Sequence, residues 1–309
     1  MNILVTPRSF GKNNPELFDR LRDHGLSVIR NDTGAILSEE AMIERIADCQ
    51  GVILGIDPMN ARVLAQAKKL KAIAKYGVGT DNIDLEECKK RNIAVSRTVG
   101  ANSNAVADYA FALMLAVARR VLVIDRRCRN ADWGKMTGID IYGKTLGIVG
   151  LGAVGKAVAL RAQGFSMKIL AYDVFHNDEW AGAHGVTYTD LDTLIQEADI
   201  ISLHAALTDT NHHLLSQERI ARMKQTAIVI NTARGELVDE DALLAALMEK
   251  RIYGAGLDVF AHEPPDNPAW FSLDSVVLGS HTSSSTIGAT EAMGTLAVDN
   301  LLRDLGIST

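Results

Sequence analysis

The glycine-rich stretch Gly150-Leu-Gly-Ala-Val-Gly155 constrains the fold of this chain more than any other feature. An apolar run precedes it at 145–149, and residues 156–163 after it have helical spacing. A second apolar run follows at 167–172 and ends in Asp173. A glycine motif between a strand and a helix, with an acidic residue closing the next strand, is the fingerprint of a dinucleotide-binding turn.

Each glycine of this fingerprint has its own physical role. Gly150 permits a tight turn, Gly152 lets a pyrophosphate approach the backbone, and Gly155 lets the helix pack closely on the strand. The start of the helix, at Ala153 and Val154, presents backbone N–H groups and a positive dipole end to the anion. We therefore expect these five residues to bind the pyrophosphate of a dinucleotide.

The acidic residue Asp173 predicts which dinucleotide binds. Its carboxylate can accept hydrogen bonds from the two hydroxyls of an adenosine ribose, and it would repel a 2′-phosphate. This favours NAD over NADP as the cofactor. The alternative is a glycine-rich turn in some other α/β fold, which the flanking strand, helix and carboxylate disfavour.

The bulk composition is that of an ordinary soluble protein with two domains. The chain has 309 residues, more than a single hydrophobic core usually supports. Its net charge of −6 and lack of a dense Lys/Arg run give no reason to expect nucleic-acid binding. No apolar run reaches transmembrane length and no signal-peptide pattern follows Met1, so we expect a cytoplasmic protein without membrane contact. The three cysteines have no metal-binding spacing, so no metal site is expected.

Strand and helix patterns alternate along most of the chain, which predicts parallel sheets covered on both faces. The expected fold is α/β with two doubly wound parallel-sheet domains, a Rossmann cofactor domain being inserted into a flavodoxin-like substrate domain. The substrate domain is predicted to comprise 1–100 and 286–309, and the NAD-binding domain 101–285. Predicted strands lie at 2–5, 27–29, 51–54, 72–74 and 93–95 in the first domain, and at 145–149, 167–172, 199–203, 227–230, 254–259 and 276–278 in the second.

One long Ala-rich helix is predicted from Ser103 to about Arg127, because this segment is apolar and almost free of helix breakers. Its length suggests a connector between domains, a dimer surface, or both. We expect a homodimer formed through the cofactor domain.

Three polar residues follow predicted strands of the cofactor domain. Arg234 follows the strand at 227–230, Glu263 follows that at 254–259, and His281 follows that at 276–278. In open α/β sheets, ligands bind beyond the carboxyl ends of the strands. We therefore expect these three side chains to face the crevice where a nicotinamide would lie.

The three residue types suit hydride transfer to a carbonyl. A histidine can supply the proton that the developing alkoxide needs, and a carboxylate on its other ring nitrogen, here Glu263, would set the tautomer. An arginine fork fits a substrate carboxylate and polarises the adjacent carbonyl. Each residue also has an ordinary alternative: Arg234 in a surface ion pair, Glu263 on a solvated loop, and His281 as a helix cap.

Five motifs together resemble the D-isomer-specific 2-hydroxyacid dehydrogenases, with the 3-phosphoglycerate dehydrogenase subgroup the most similar. The resemblance covers nearly the whole chain and implies an NAD-dependent enzyme that interconverts a D-2-hydroxy acid and its 2-keto acid. It also implies Arg234 as the substrate binder, Glu263 as the partner of His281, and His281 as the acid/base. The motifs are Tyr76-Gly-Val-Gly-Thr-Asp-Asn-Ile-Asp84, Leu151-Gly-Ala-Val-Gly155, Asn231-Thr-Ala-Arg-Gly235, Leu257-Asp-Val-Phe-Ala-His-Glu-Pro264 and His281–Thr286.

The same resemblance assigns further contacts. It implies that the backbone at Val78 and Gly79, with Asn102, contacts the substrate carboxylate alongside Arg234. The implied cofactor contacts are Asp258 at the nicotinamide carboxamide, His204 near the adenine, and Thr232 and Ala233.

Some positions depart from the family pattern. Phosphoglycerate enzymes typically carry an arginine after the third strand, where this chain has Gly55-Ile-Asp-Pro58 and no cation until Arg62. A carboxylate from Asp57 beside a phosphate would be unfavourable, which counts against phosphoglycerate as the substrate and leaves the identity of the acid open. Since the sequence reaches only Thr309, we expect a short form without the regulatory domain that many of those enzymes carry. An alternative function is that of an NAD(H)-sensing regulatory protein, similar to the related corepressors. Because those proteins have the same catalytic residues, the three polar residues alone do not exclude this alternative.

Overall fold

The computed structural model describes residues 1–307, and they divide into two compact units. Unit 1 comprises residues 1–102 together with those from 285 onward, and unit 2 comprises residues 103–284. Residues 308 and 309, the end of the predicted range 286–309, lie outside the described residues. Each unit contains one all-parallel sheet, of five strands in unit 1 and seven in unit 2, which confirms the expected fold class.

The strands lie within two residues of their predicted ends wherever a strand was predicted. They are β1 Asn2–Val5, β2 Ser27–Arg30, β3 Gly51–Leu54, β4 Ala72–Lys75, β5 Ala94–Arg97, β6 Thr145–Val149, β7 Lys168–Tyr172, β8 Val186–Tyr188, β9 Ile200–Leu203, β10 Ile228–Asn231, β11 Gly254–Leu257 and β12 Val276–Leu278. The helices are α1 Glu16–Asp23, α2 Glu39–Ile46, α3 Ala61–Gln66, α4 Leu85–Lys90, α5 Ser103–Ala118, α6 Val121–Arg129, α7 Ala153–Gln163, α8 Asp178–Ala183, α9 Leu191–Glu197, α10 Gln217–Ala221, α11 Glu240–Met248 and α12 Ile287–Asp304.

The sheet of unit 1 has the order β2-β1-β3-β4-β5, which is the flavodoxin-like order. Strands β3 and β4 are buried along their whole length, since helices cover both faces of the sheet. Helix α12 returns late in the chain and packs against β3, β4 and β5 through a face that includes Ala297, Val298 and Leu301. The carboxyl ends of β3 and β4 therefore lie side by side at one edge of this sheet.

The sheet of unit 2 has the order β8-β7-β6-β9-β10-β11-β12, the Rossmann order extended by one strand. Strand β8 was not predicted. It has only three residues, and Val186 is the only one of them that is buried, so its apolar signal is too weak to stand out in the sequence. The ends of β10, β11 and β12 are neighbours, which places the segments after them at one edge of the sheet.

The prediction of one uninterrupted helix over 103–127 is wrong. Helix α5 ends at Ala118 and α6 begins at Val121, because Arg120 adopts a left-handed conformation with φ of 55°. The Arg120 guanidinium lies 4.1 Å above the ring of Tyr253 and donates to the carbonyl oxygen of Tyr253 at 3.0 Å. These contacts of unit 2 hold the chain at the break. Among residues 1–307, we find no helix long and apolar enough to span a bilayer.

Candidate active site

The fingerprint turn requires glycine at two positions. Gly150 has a φ of +94°, and a Cβ atom there would lie 2.6 Å from the backbone nitrogen of Ala205. A Cβ at Gly155 would lie 2.1 Å from the carbonyl oxygen of Gly150, which is too close for any side chain. Helix α7 can therefore approach β6 only because both residues lack a side chain.

The start of helix α7 fits a pyrophosphate. Gly152 is its N-cap residue and provides no side-chain cap, while a Cβ at this position would meet no heavy atom within 4 Å. Ala153 and Val154 form the first helical positions, whose N–H groups have no acceptor within the helix. Open space in front of uncapped N–H groups is the arrangement that an anion occupies at a helix N-terminus.

Asp173 lies directly after β7 and anchors the fingerprint turn. One carboxylate oxygen, Oδ2, accepts the N–H of Leu151 at 2.6 Å, and Oδ1 accepts the N–H of Phe175 at 3.0 Å. Each carboxylate oxygen has a second lone pair, so these bonds leave acceptor capacity for a ribose diol. The sequence analysis missed this second role, since a backbone contact 22 residues away leaves no local signal.

His204 lies immediately after β9, and its backbone N–H donates to the carbonyl of Val149 at 2.7 Å. Its Nε2 is 2.8 Å from the hydroxyl of Ser202, and its Nδ1 is 3.4 Å from that of Thr232. Burial lowers the pKa of His204 to about 3, so the ring is neutral at physiological pH. The fold thus brings the predicted cofactor residues His204 and Thr232 together.

The loop after β10 carries Ala233 and Arg234. The side chain of Asn231, the last residue of β10, accepts the N–H of Ala233 at 3.0 Å and donates to the carbonyl of Arg234 at 2.7 Å. The Arg234 guanidinium donates through Nη1 to the carbonyl of Ala233 at 2.6 Å. The buried Asn231 therefore shapes the turn that presents Arg234 at the carboxyl edge of the sheet.

His281 and Glu263 are in direct contact. The Nδ1 atom of His281 lies 3.1 and 3.0 Å from the two carboxylate oxygens of Glu263. Partial burial of Glu263 works to raise its pKa, but the hydrogen bond and charge of His281, the Phe260 N–H and Arg234 outweigh it, and the net pKa lies below its usual value. Glu263 is therefore ionised at neutral pH, and Nε2 of His281 is the ring nitrogen that can exchange a proton with a ligand.

Asp258, the residue after β11, anchors the loop that carries His281. Its buried carboxylate accepts the N–H groups of Thr282 at 3.0 Å and Ser283 at 2.8 Å, and its carbonyl accepts that of His281 at 2.7 Å. His281 itself has a left-handed backbone with φ of 54°, which costs on the order of 1 kcal/mol for a residue other than glycine. The three hydrogen bonds to Asp258 hold this conformation in place, a role that the sequence analysis missed.

The remaining residues predicted to bind the substrate, Val78, Gly79 and Asn102, lie in unit 1. Val78 and Gly79 form the turn after β4, and Val78 is 37% exposed. Gly77 begins this turn with a φ of +134°, and its N–H donates to the hydroxyl of Thr98 at 2.9 Å. Asn102 ends the first segment of unit 1, and its buried side-chain oxygen has no hydrogen-bond partner within the described residues.

Asp57 does not occupy the position that the sequence analysis gave it. Its side chain is only 2% exposed, and Oδ1 accepts the N–H of Leu37 at 2.8 Å. The expectation that its carboxylate would face a substrate phosphate is therefore wrong. The sequence analysis, which considered only the residues up to Arg62, also missed Lys75, a cation that is buried at the end of β4 and donates to the carbonyl of Gly55. The signal in the sequence that could have indicated this residue was a lysine at the end of the otherwise apolar strand β4.

Comparison with known protein families identifies the family of this chain. The family model described as D-isomer specific 2-hydroxyacid dehydrogenase, NAD binding domain, matches residues 111–283. This chain belongs to the D-isomer-specific 2-hydroxyacid dehydrogenase family. It is therefore an NAD-dependent oxidoreductase, as the fingerprint and the three polar residues predicted.

Relatives of this dehydrogenase are similar over most of their length. A glyoxylate reductase of Korarchaeum cryptofilum is 44% identical over 274 residues, covering 86% of this chain and 82% of the relative. A glyoxylate reductase of Thermococcus litoralis is also 44% identical, with 84% and 82% covered.

Solved structures are similar over nearly all of this chain. The TT0316 protein from Thermus thermophilus has a TM-score of 0.90 at 39% identity, covering 99% of this chain and 97% of that one. A D-lactate dehydrogenase from Aquifex aeolicus, complexed with NAD and lactic acid, has a TM-score of 0.85 at 30% identity, with 96% and 93% covered.

Proposed function

We propose that this dehydrogenase reduces glyoxylate, or a 2-keto acid of similar size, with NADH. The observation that carries this proposal is the contact between His281 and Glu263 at the sheet edge where Arg234 also lies. The names of the relatives, glyoxylate reductases at 44% identity, support the choice of acid. The resemblance to 3-phosphoglycerate dehydrogenases gives weaker support for a substrate, because the relatives reported above are named glyoxylate reductases.

In this proposal His281 is the general acid. Bound NADH supplies the hydride. His281 donates a proton from Nε2 to the carbonyl oxygen of the keto acid, while Glu263 holds Nδ1 and stabilises the charged imidazole. In the reverse direction, the same nitrogen accepts the proton of the hydroxy acid. Glu263 acts on orientation and charge and does not take the proton itself.

Arg234 binds and polarises the substrate in this proposal. Its planar guanidinium matches a carboxylate with two parallel hydrogen bonds, and its charge also draws electron density from the neighbouring carbonyl. The backbone at Val78 and Gly79, with Asn102, would complete the carboxylate site. For the cofactor, we propose that Ala153 and Val154 donate to the pyrophosphate of NAD.

We further propose that the cofactor contacts follow the sequence expectations at the remaining positions. Asp173 would accept the adenosine ribose hydroxyls, His204 would lie near the adenine, and Asp258 would hold the nicotinamide carboxamide. Thr232 and Ala233 would contact the cofactor between its adenine and its nicotinamide.

Phosphohydroxypyruvate is a second candidate substrate, because Asp57 is buried and hydrogen-bonded to the N–H of Leu37, so its carboxylate is not exposed to a bound phosphate. The decisive experiment is NADH oxidation by the purified enzyme with glyoxylate, hydroxypyruvate, phosphohydroxypyruvate and branched-chain keto acids. We expect the highest kcat/KM with glyoxylate. A higher value with phosphohydroxypyruvate would assign the second substrate. NADH binding with no keto acid reduced would favour the NAD(H)-sensing regulatory function instead.

We also propose that the enzyme is a cytoplasmic homodimer formed through its cofactor domain, with domain boundaries at 1–100 and 286–309 against 101–285. Exposed apolar side chains of unit 2 support a dimer surface, with Leu122 54% exposed and Trp133 80% exposed. Analytical ultracentrifugation would measure the oligomeric state, and a monomer at micromolar concentration would contradict the dimer. Subcellular fractionation would test the location.

A further inference from the structure

Lys75 is a buried cation at the carboxyl edge of the unit 1 sheet. It is the last residue of β4, and its side chain is 4% exposed. Burial of an ammonium group is unfavourable unless acceptors replace the lost water. A buried lysine in an otherwise apolar strand therefore requires a specific set of partners.

Those partners connect the turns after two neighbouring strands. The Nζ atom of Lys75 donates to the carbonyl of Gly55, after β3, and to Oδ1 of Asn82 at 2.9 Å. The Asn82 amide nitrogen in turn donates to the carbonyl of Gly55 at 3.1 Å and that of Asp57 at 2.5 Å. Lys75 and Asn82 thus join the Gly55–Asp57 turn to the 76–82 turn, and we call this network the Lys75–Asn82 clamp.

The clamp lies directly against the segment that contains Val78 and Gly79. The Cε atom of Lys75 is 3.9 Å from where a Cβ of Gly77 would be. On the other side, Gly77 exchanges backbone and hydroxyl hydrogen bonds with Thr98 at 2.9–3.2 Å. The turn is therefore held at both ends, by Thr98 at Gly77 and by the clamp at Asn82.

We propose that Lys75, acting through Asn82, is a positioning residue that holds the Val78–Gly79 backbone in the geometry that binds the substrate carboxylate. This inference rests on the proposed function, in which that backbone contacts a 2-keto acid. Small displacements of a positioned binding group cost much of its effect, on the order of 100-fold for 1 Å. Loss of the clamp thus weakens substrate binding and leaves the cofactor site in unit 2 unaltered.

The test compares Lys75→Met, which keeps the aliphatic stem but removes the ammonium group, with Asn82→Ala, which removes the other half of the clamp. Lys71→Met is the matched control, because Lys71 is exposed just before the same strand. We expect both clamp variants to raise the KM for glyoxylate about tenfold or more, with kcat changed less than about threefold and the Kd for NADH unchanged. The double variant should raise KM no further than the larger single effect, since both act through one network.

Backbone amide exchange tests the clamp without relying on turnover. In Lys75→Met the peptide spanning 76–84 should exchange at least about tenfold faster than in the wild type, while peptides of unit 2 and the Lys71→Met control should not change. A purely structural role would lower the Tm and the amount of active enzyme without raising KM. That result, or unchanged exchange at 76–84, would overturn the inference. A wild type that reduces no keto acid would count against the proposed function alone, because the exchange result still decides the clamp.

Discussion

The Nδ1 atom of His281 lies 3.0 Å from Oε2 of Glu263, although 18 residues separate them in the chain. The contact forms because β11 and β12 are parallel neighbours and the segments after them leave the sheet at the same edge. Since both side chains are 39% exposed, the contact lies where a ligand can reach it. It gives the ring one fixed nitrogen and one reactive nitrogen, which is what a general acid requires.

Removal of the reactive nitrogen or of the guanidinium should stop turnover. We expect His281→Ala and Arg234→Ala each to lower kcat/KM for glyoxylate by at least about 100-fold, because proton transfer and carboxylate binding are lost. The Kd for NADH, measured by fluorescence titration, should change little. A variant that retains near-wild-type kcat/KM would show that its residue has another role.

Glu263 should make the stability of the protein depend on pH. Its pKa lies below the ordinary value in the folded state, so its carboxylate contributes stability above the unfolded pKa of about 4.3, and this contribution is lost as the pH falls through the folded pKa. Urea denaturation of wild type and Glu263→Gln at pH 7 and at pH 3.5 should show the difference in unfolding free energy shrinking at the lower pH. A constant difference would contradict this assignment.

The loop anchor at Asp258 should be sensitive to an isosteric change. In Asp258→Asn, one of the two backbone N–H groups of Thr282 and Ser283 loses its acceptor, which should cost about 1–3 kcal/mol of unfolding free energy. His281 is then held less firmly, and kcat should fall as well. Asp209→Asn, at an exposed position, is the control, and its stability should be unchanged. Equal stability of the two variants would exclude the anchoring role.

Two of the three fingerprint glycines, Gly152 and Gly155, should respond differently to alanine. Gly155→Ala places a Cβ 2.1 Å from the Gly150 carbonyl oxygen and should destabilise the protein by about 3 kcal/mol. Gly152→Ala meets open space, so its Tm should be close to that of the wild type while its Kd for NADH increases. Thermal unfolding and NADH titration measure the two effects. Normal NADH affinity in Gly152→Ala would argue against a pyrophosphate at this helix start.

Asp173 should control both the affinity for NADH and the discrimination against NADPH. Asp173→Ala removes the acceptor of the Leu151 N–H and the charge that repels a 2′-phosphate. The ratio of kcat/KM for NADH over NADPH should fall at least about tenfold, and the NADH affinity should also fall. A wild type that prefers NADPH would contradict the role assigned to this carboxylate.

Local patterns were sufficient for most of the fold. Apolar runs of four to five residues predicted strands such as β3 and β6, which are buried along nearly their whole length. The same reasoning failed at β8, where Val186 alone is buried, and at Arg120, where contacts with Tyr253 hold a break that no glycine or proline announces. In both cases, the deciding interactions come from residues distant in the chain.

The sequence by itself determined the fold class, the cofactor fingerprint and the three polar residues after β10, β11 and β12, because glycine spacing and strand ends are local properties. Only the tertiary structure decided the environment of Asp57 and Lys75. Asp57 is satisfied by the N–H of Leu37, 20 residues earlier, and Lys75 by a carbonyl and an amide on two other turns. Whether a charged side chain faces a substrate or is buried depends on such distant partners, because burial requires each lost contact with water to be replaced.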